Sequence, residues 1–165
     1  MREIKLTQGK VTLVDDEDFE RLNRHKWYAS RSGQSWYAQR NDYSNGKRKT
    51  IIMHREIMNI IGDIGIDHIT GNGLHNLKEN LRVATHQQNM HNRKLPQKNN
   101  KLGIKGVSWH KASKKFTAQI RINDKLIHLG IFTVLADAEQ AYRVAEIKYF
   151  GEFAREETKK LYLVV

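Results

Sequence analysis

Residues 64–93 read IGIDHITGNGLHNLKENLRVATHQQNMHNR. The stretch holds an adjacent carboxylate and imidazole, Asp67-His68, and two asparagines, Asn80 and Asn89, on either side of a short apolar run. Gly65 to Ile69 has the pattern of a strand, and Leu81 to Ala84 that of a second. Between them Thr70-Gly71-Asn72-Gly73 reads as a loop, where glycine tolerates positive φ. Thr85 is placed to cap a helix running to about Asn92. The order strand, long loop, strand, helix sets Asp67 and His68 on the first strand and Asn89 on the first turns of the helix.

These residue types suit the holding of a hard cation against a phosphate. One oxygen from Asp67 and one from Asn89 would leave most of the coordination sphere to water and phosphate, the incomplete cage usual for Mg²⁺. Mn²⁺ accepts the same hard oxygen donors. His68 lies beside Asp67 but on the opposite face of the strand, where it is placed to take a proton from an attacking water. The cation would act as Lewis acid and stabilise a leaving 3′-oxygen, with basic groups nearby adding electrostatic stabilisation. Spacing alone leaves a plainer reading open, because Asp-His pairs at strand ends are often structural and asparagine is common in turns and caps.

Upstream, Glu3–Leu6 and Lys10–Val14 alternate as half-buried strands about a Gln8-Gly9 turn. Asp15-Asp16-Glu17-Asp18 opens a helix through Asn23, where acids satisfy free N–H groups and the helix dipole. Trp27–Ala29 and Ser35–Gln39 read as aromatic strands of a hairpin, their tryptophans packing a small core. A second turn at Ser44-Asn45-Gly46 leads to Thr50–Ile52. Met53 to Ile61 has a helical pattern with Met53, Ile57, Ile60 and Ile61 on one side, and Gly62 ends it.

With those elements in place, DHITGNGLHNLKENLRVATHQQNMHN (residues 67–92) resembles the HNH nuclease motif in the form found in phage and intron-encoded homing endonucleases. The matching features are DHI with its Gly-Asn-Gly loop, HN separated by three residues from NLRVAT, and QQN separated by two residues from Asn92. MHREIM at 53–58 is also similar to the family. The resemblance implies His68 as general base, Asn80 as the asparagine that braces the loop and orients the base, and Asn89 as a metal ligand partnered by Asp67. Several relatives carry histidine where Asn89 stands, so the resemblance leaves the choice of metal open. His75 occupies a position where many relatives have Asp or Asn, and the role of His75-Asn76 is likewise left open, with loop packing as the plain alternative. His86 and His91 on the helix read as solvent or phosphate contacts.

Downstream the composition changes. The whole chain of 165 residues carries a formal charge of +11. Between Arg93 and Lys125 there are ten basic residues and one acid, Asp124, leaving +9 in that segment. Such a stretch attracts polyanions by counterion release, and Trp109 and Phe116 interleave with its lysines. No amphipathic basic helix is apparent there to favour a membrane surface. The absence of cysteine excludes disulfides and thiolate metal sites. No run approaches the roughly 18 apolar residues of a membrane span. Together with an N-terminus lacking a secretory leader, these features lead us to expect a cytoplasmic protein, and the resemblance to phage nucleases implies a bacterial host or phage-infected cell.

Residues 93–102, with the only proline at Pro96, read as a basic linker between a domain at 1–92 (its ββα core about 64–92) and one at 103–154. Three strands, about Ile104–Trp109, Phe116–Ile122 and Leu126–Phe132, precede a helix from Leu135 to Phe150 ended by Gly151. On that helix Ala138, Ala141, Tyr142, Ala145 and Tyr149 fall at helical spacing. A tail, 155–165, has no assigned place. IKGVSWHKASKKFTAQIRINDKLIHLGIFTVLADAEQAYRVAEIKYFGEFA (104–154) resembles the plant ethylene-response-factor (AP-two) DNA-binding domain, which implies a three-stranded sheet in the DNA major groove with a helix behind it.

Strand parity turns Ala118 and Ile120 toward the helix and Thr117, Gln119 and Arg121 outward. Ile127 and Leu129 likewise turn inward, leaving Lys125 and His128 available. Arg121 suits guanine and Gln119 adenine. Lys105, Lys111, Lys114 and Lys115, with Arg93, Lys94 and Lys98 of the linker, suit phosphate. Ser108, Lys111 and His128 stand where the plant pattern favours arginine or tryptophan, so the resemblance implies a binding surface and not a target sequence.

The expected fold class is thus α+β: an HNH ββα-metal module with accessory strands, then a three-stranded antiparallel sheet on one helix. The expected function is a site-specific homing or nicking endonuclease using one divalent cation, acting as a monomer on double-stranded DNA. The alternatives are a non-enzymatic DNA-binding regulator on a degenerate scaffold, and an RNA-binding accessory protein.

Overall fold

Short alternating strands built around tight turns dominate the first half of the chain, as its glycines and aromatic residues require. β1 (Arg2–Lys5) and β2 (Val11–Val14) pair antiparallel, from Arg2 opposite Val14 to Lys5 opposite Val11. Gln8 and Gly9 both take positive φ in the turn between them. α1 (Asp16–Asn23) buries Phe19 and Leu22. β3 (Tyr28–Ser32), β4 (Ser35–Asp42) and β5 (Lys49–Ile52) form a second antiparallel sheet. The computed structural model describes residues 1–33, 35–92 and 100–162. The chain is mixed α+β and divides into two units, Met1–Asn89 and Met90–Val165. Among the described residues no helix is long and apolar enough to cross a membrane.

The core of the first unit joins Ile4, Val14, Leu22, Trp27, Ala29, Ala38, Met53, Ile57 and Leu81. Trp27 belongs to it, its indole N–H donating to the Leu22 carbonyl at 2.8 Å. α2 is shorter than its periodicity suggests, spanning Met53–Ile57. Asn59 adopts a φ of 51°, which turns the chain out of the helix two residues after it ends. Ile61, expected on the buried stripe, is 89% exposed. Arg55 then ties the following loop down by donating to the carbonyls of Gly62 and Ile64.

β6 (Ile66–His68) pairs antiparallel with β8 (Leu81–Val83) as a two-stranded ribbon. The strand β7 (His75–Asn76) has no counterpart in the sequence reading. It joins the first sheet in parallel with β2, Leu13 opposite His75 and Val14 opposite Asn76. Two residues are too few for a periodicity signal, and only the long-range partner defines them. A 3₁₀ turn (Lys78–Asn80) leads into β8, and α3 (His86–His91) follows.

In the second unit, Asn100 organises the first described turn. Its Nδ2 donates to the carbonyls of Ile104 at 2.6 Å and Val107 at 3.1 Å. Residues 100–102, expected as the end of a linker, are therefore held in a turn; 93–99 lie outside the described residues. β9 (Val107–His110), β10 (Lys115–Ile122) and β11 (Lys125–Phe132) form an antiparallel sheet in the order β11-β10-β9. Asn123 and Asp124, with φ of 46° and 62°, make the two-residue turn between the last two strands, a geometry that matches strand twist. A bulge interrupts β11: Ala118 faces Gly130 while Gln119 faces His128, leaving Leu129 as the extra residue.

α4 (Leu135–Phe150) packs on the sheet through Ala138, Tyr142 and Ala145. Tyr149, expected on this face, is exposed, and Phe150 is buried instead. Gly106 lets the sheet approach α4, since a Cβ there would sit 2.0 Å from the Tyr142 ring. The part of the tail that is described forms α5 (Glu156–Tyr162), which packs on α4.

Candidate active site

β6 is three residues long and buried throughout. Alternation along it sends Asp67 and His68 to opposite faces. Asp67 stands across from Arg82 of β8, and the guanidinium donates to Asp67 Oδ2 from Nε at 2.9 Å and Nη2 at 2.6 Å. A buried carboxylate needs such a partner, because an uncompensated charge there would be costly. The cross-strand register, legible only once β6 and β8 are paired, is what identifies Arg82.

Asn89 is delivered to the same strand by α3. Thr85 and Gln88 form a capping box: the Gln88 N–H donates to Thr85 Oγ1 at 3.2 Å and the Thr85 N–H to Gln88 Oε1 at 2.8 Å. Gly65 lets this end of the ribbon close, as a Cβ there would lie 2.3 Å from the Ala84 carbonyl oxygen. Asn89 Nδ2 donates to the carbonyl of Ile66, next to Asp67, at 3.3 Å. The other atom of that amide, Oδ1, is the one an asparagine offers to a cation.

His68 faces the interior. Its Nε2 lies 3.1 Å from Asn76 Oδ1, its ring meets that of His54 edge-on at 4.9 Å, and Tyr37 stands 6.0 Å away. Burial holds the His68 imidazole below its ordinary pKa, against the upward pull of the Asn76 bond and the Asp67 charge, while His75 adds to the downward push. His54 is driven down to about 3, chiefly by burial and then by His68 and Arg55. Near neutrality both rings are uncharged, the state in which a histidine accepts a proton. Tyr37 carries no sequence signal for this role, while His54 lies in MHREIM, a family-like run to which no role is assigned. For Asn76 the nearest sign was the HN pair at 75–76 within the motif.

Asn80 braces the loop between β6 and β7. Its Oδ1 accepts from the Thr70 N–H at 3.0 Å and its Nδ2 donates to the His75 carbonyl at 2.7 Å. Gly73 lies so close to β4 that a Cβ would fall 2.4 Å from the Trp36 carbonyl oxygen. The acids of α1 have a further use here. Asp15 makes no side-chain cap to its own helix; its carboxylate accepts the Lys78 N–H at 2.8 Å. Lys78 Nζ in turn pairs with Glu17 and Asp18. The acidic run thereby fixes the 3₁₀ turn that carries Asn80.

Among the described residues, no group of three or more His, Cys, Asp or Glu side chains is arranged to hold a metal. The donors on β6 and α3 are one carboxylate and one amide oxygen, which fit a hard cation that keeps most of its water or takes phosphate oxygens. They do not fit a fully caged zinc site.

The basic residues of the second unit divide into two sets. Lys111, Lys114, Lys115, Arg121, Lys125 and His128 are exposed, and Gln119 is half-buried beside them. Gln119 faces His128 and Arg121 faces Leu126 across the sheet, so these side chains share the face opposite α4. Arg121 also donates to the Asp124 carbonyl at 3.0 Å. The bulge at Leu129 shifts parity, which brings Ile131 to this face, 51% exposed. Thr117, expected to face outward, is buried. Lys105, expected against phosphate, donates to the carbonyls of Met90 at 3.2 Å and His91 at 2.6 Å. His91 is stacked on Phe150 at 3.7 Å, in place of the solvent contact its sequence position suggested. Arg93, Lys94 and Lys98 lie outside the described residues.

The chain is similar to an uncharacterized HNH endonuclease of Acanthamoeba polyphaga mimivirus, 29% identical over 153 residues that take in 89% of this chain and 74% of the relative. It is also similar to Protein 3.8 of Escherichia phage T7, 34% identical over 90 residues, 54% of this chain and 73% of that protein. No family model and no solved structure matches it.

Proposed function

We propose that this chain, which belongs to the same family as Protein 3.8 of Escherichia phage T7, is a metal-dependent DNA endonuclease of HNH type. Residues 64–92 are its ββα-metal core, and 103–154 form an AP-two-like sheet that anchors it on duplex DNA. The observation that carries the reading is the arrangement on β6. A carboxylate on one face and a neutral imidazole on the other are consecutive residues, with the Asn89 amide held against the same strand. Similarity to the mimivirus HNH endonuclease supports it.

In this mechanism Asp67 and Asn89 hold one divalent cation, Mg²⁺ or Mn²⁺, which when bound supplies Lewis-acid stabilisation of phosphate charge and of the leaving 3′-oxygen. His68 takes a proton from the attacking water, and burial keeps the ring uncharged and ready to do so. Arg82 holds the Asp67 carboxylate in one orientation. Asn80 keeps the loop after His68 in its fold. One such site per chain cuts one strand, so a monomer nicks DNA and a double-strand break needs a second copy or a second binding event. Expulsion of the 3′-oxygen, which takes up a proton from solvent water, leaves a 5′-phosphate and a 3′-hydroxyl.

The test is conversion of supercoiled plasmid carrying candidate target DNA to nicked circle with Mg²⁺ or Mn²⁺. The expected result is nicking that EDTA abolishes and that a DNA ligase reseals. Tight DNA binding with no nicking under either metal would instead favour a regulator on an inactive scaffold.

A further inference from the structure

A chain of buried hydrogen bonds runs from the first sheet to the catalytic histidine, and its members have only one consistent set of directions. Thr12 is fully buried on β2, and its hydroxyl lies 2.8 Å from the Leu74 carbonyl oxygen. A carbonyl only accepts, so the single hydroxyl proton goes there and Thr12 Oγ1 can only accept from its next neighbour. That neighbour is the Asn76 amide, 1% exposed and 2.8 Å away. Asn76 must therefore present its NH₂ group to Thr12, with the thioether of Met53 3.7 Å from the same nitrogen. Its carbonyl oxygen is left facing His68 Nε2 at 3.1 Å. An amide oxygen cannot donate, so the proton of the neutral imidazole sits on Nε2.

We propose that Asn76, fixed by Thr12, is a positioning residue that locks His68 as the Nε2–H tautomer and so makes Nδ1 the ring nitrogen that accepts the proton. The assignment of the tautomer stands on the hydrogen-bond chain alone; its catalytic meaning rests on the base role of His68 proposed above. When water gives up its proton, the O–H bond breaks, its electron pair stays on oxygen for attack on phosphorus, and the proton joins the Nδ1 lone pair. The imidazolium that results still donates Nε2–H to Asn76 Oδ1, a bond that strengthens as the ring becomes charged. The geometry also explains β7. Two residues in parallel with β2 are enough to bring Asn76 beside Thr12, which no isolated loop would secure.

The experiment is nitrogen NMR of the side chain of His68 in the full-length, ¹⁵N-labelled protein without metal or DNA, at a pH where the ring is neutral. His68→Gln identifies the signals by their loss. The expected spectrum shows a protonated Nε2 and an unprotonated Nδ1. Thr12→Ser, which keeps the hydroxyl, retains that pattern. Thr12→Val and Asn76→Ala, each checked for native circular dichroism, shift His68 toward a mixture of tautomers. A wild-type His68 carrying its proton on Nδ1 overturns the proposal whatever the variants do. So does a pure Nε2–H tautomer that persists in folded Thr12→Val and Asn76→Ala. Because the readout needs no catalysis, an inactive protein with the expected tautomer would count against the nuclease reading alone.

Discussion

His54 illustrates how much of the site depends on burial. Its ring is held neutral beside His68, with a pKa of about 3 against an ordinary 6.5. Between those values the unfolded chain binds a proton that the folded chain does not, so the folded state loses stability as pH falls from 6.5 toward 3. The loss approaches about 1.4 kcal/mol per pH unit for this one group. Urea midpoints should therefore fall through the mildly acidic range, and His54→Phe, which keeps a ring there but cannot titrate, should flatten that fall. Gly73 offers a second test. A methyl group there meets backbone and the Tyr37 ring, neither of which can swing aside. Gly73→Ala should cost about 1–3 kcal/mol, read as a lower urea midpoint at unchanged slope.

At the scale of the element, the buried Glu146 organises the end of the second unit. Its carboxylate accepts from Arg155 at 3.1 and 3.3 Å, from Thr158 at 2.7 Å and from Arg143 at 3.4 Å. Burial pushes its pKa up while the Thr158 bond and the charges of Lys105 and Arg143 pull it down. Removing one partner of a buried ionic cluster leaves the others uncompensated, so Glu146→Ala should cost about 3–5 kcal/mol in thermal unfolding and release α5 from α4. The sequence could not announce this, because a glutamate inside a helix reads as a solvated residue until α5 is seen folding back on it. The longer elements were legible. α4 follows its periodicity from Leu135 to Phe150, and the capping box at Thr85 marks the start of α3. What escaped depends on distant partners: β7 exists only against β2, and α2 stops early where Asn59 turns the chain. At the site the motif pointed to Asp67, His68, Asn80 and Asn89, whereas the parts played by Asn76 and Arg82, also within the motif, became visible only through a hydrogen bond to His68 and a cross-strand pairing with Asp67.

For the whole molecule the governing quantity is charge. A formal +11 with exposed Lys111, Lys114 and Lys115 on the second unit should make duplex binding steeply salt-dependent. Replacing any one of these with Gln should reduce the slope of log affinity against log salt by about 1 and weaken binding to all sequences alike. Lys105→Gln should change that slope less, since its ammonium is engaged with the carbonyls of Met90 and His91. Equal effects at all four positions would mean that Lys105 leaves those carbonyls when DNA binds.

The most direct test of the account is the rate of plasmid nicking by wild type, Asp67→Ala, His68→Ala and Asn89→Ala, with duplex affinity measured in parallel. Nicking should fall by a factor on the order of 100 or more for His68→Ala, the cost of losing a general base. It should also fall in both ligand variants, with DNA binding preserved in all three. Full-rate nicking by His68→Ala would contradict the base role of His68.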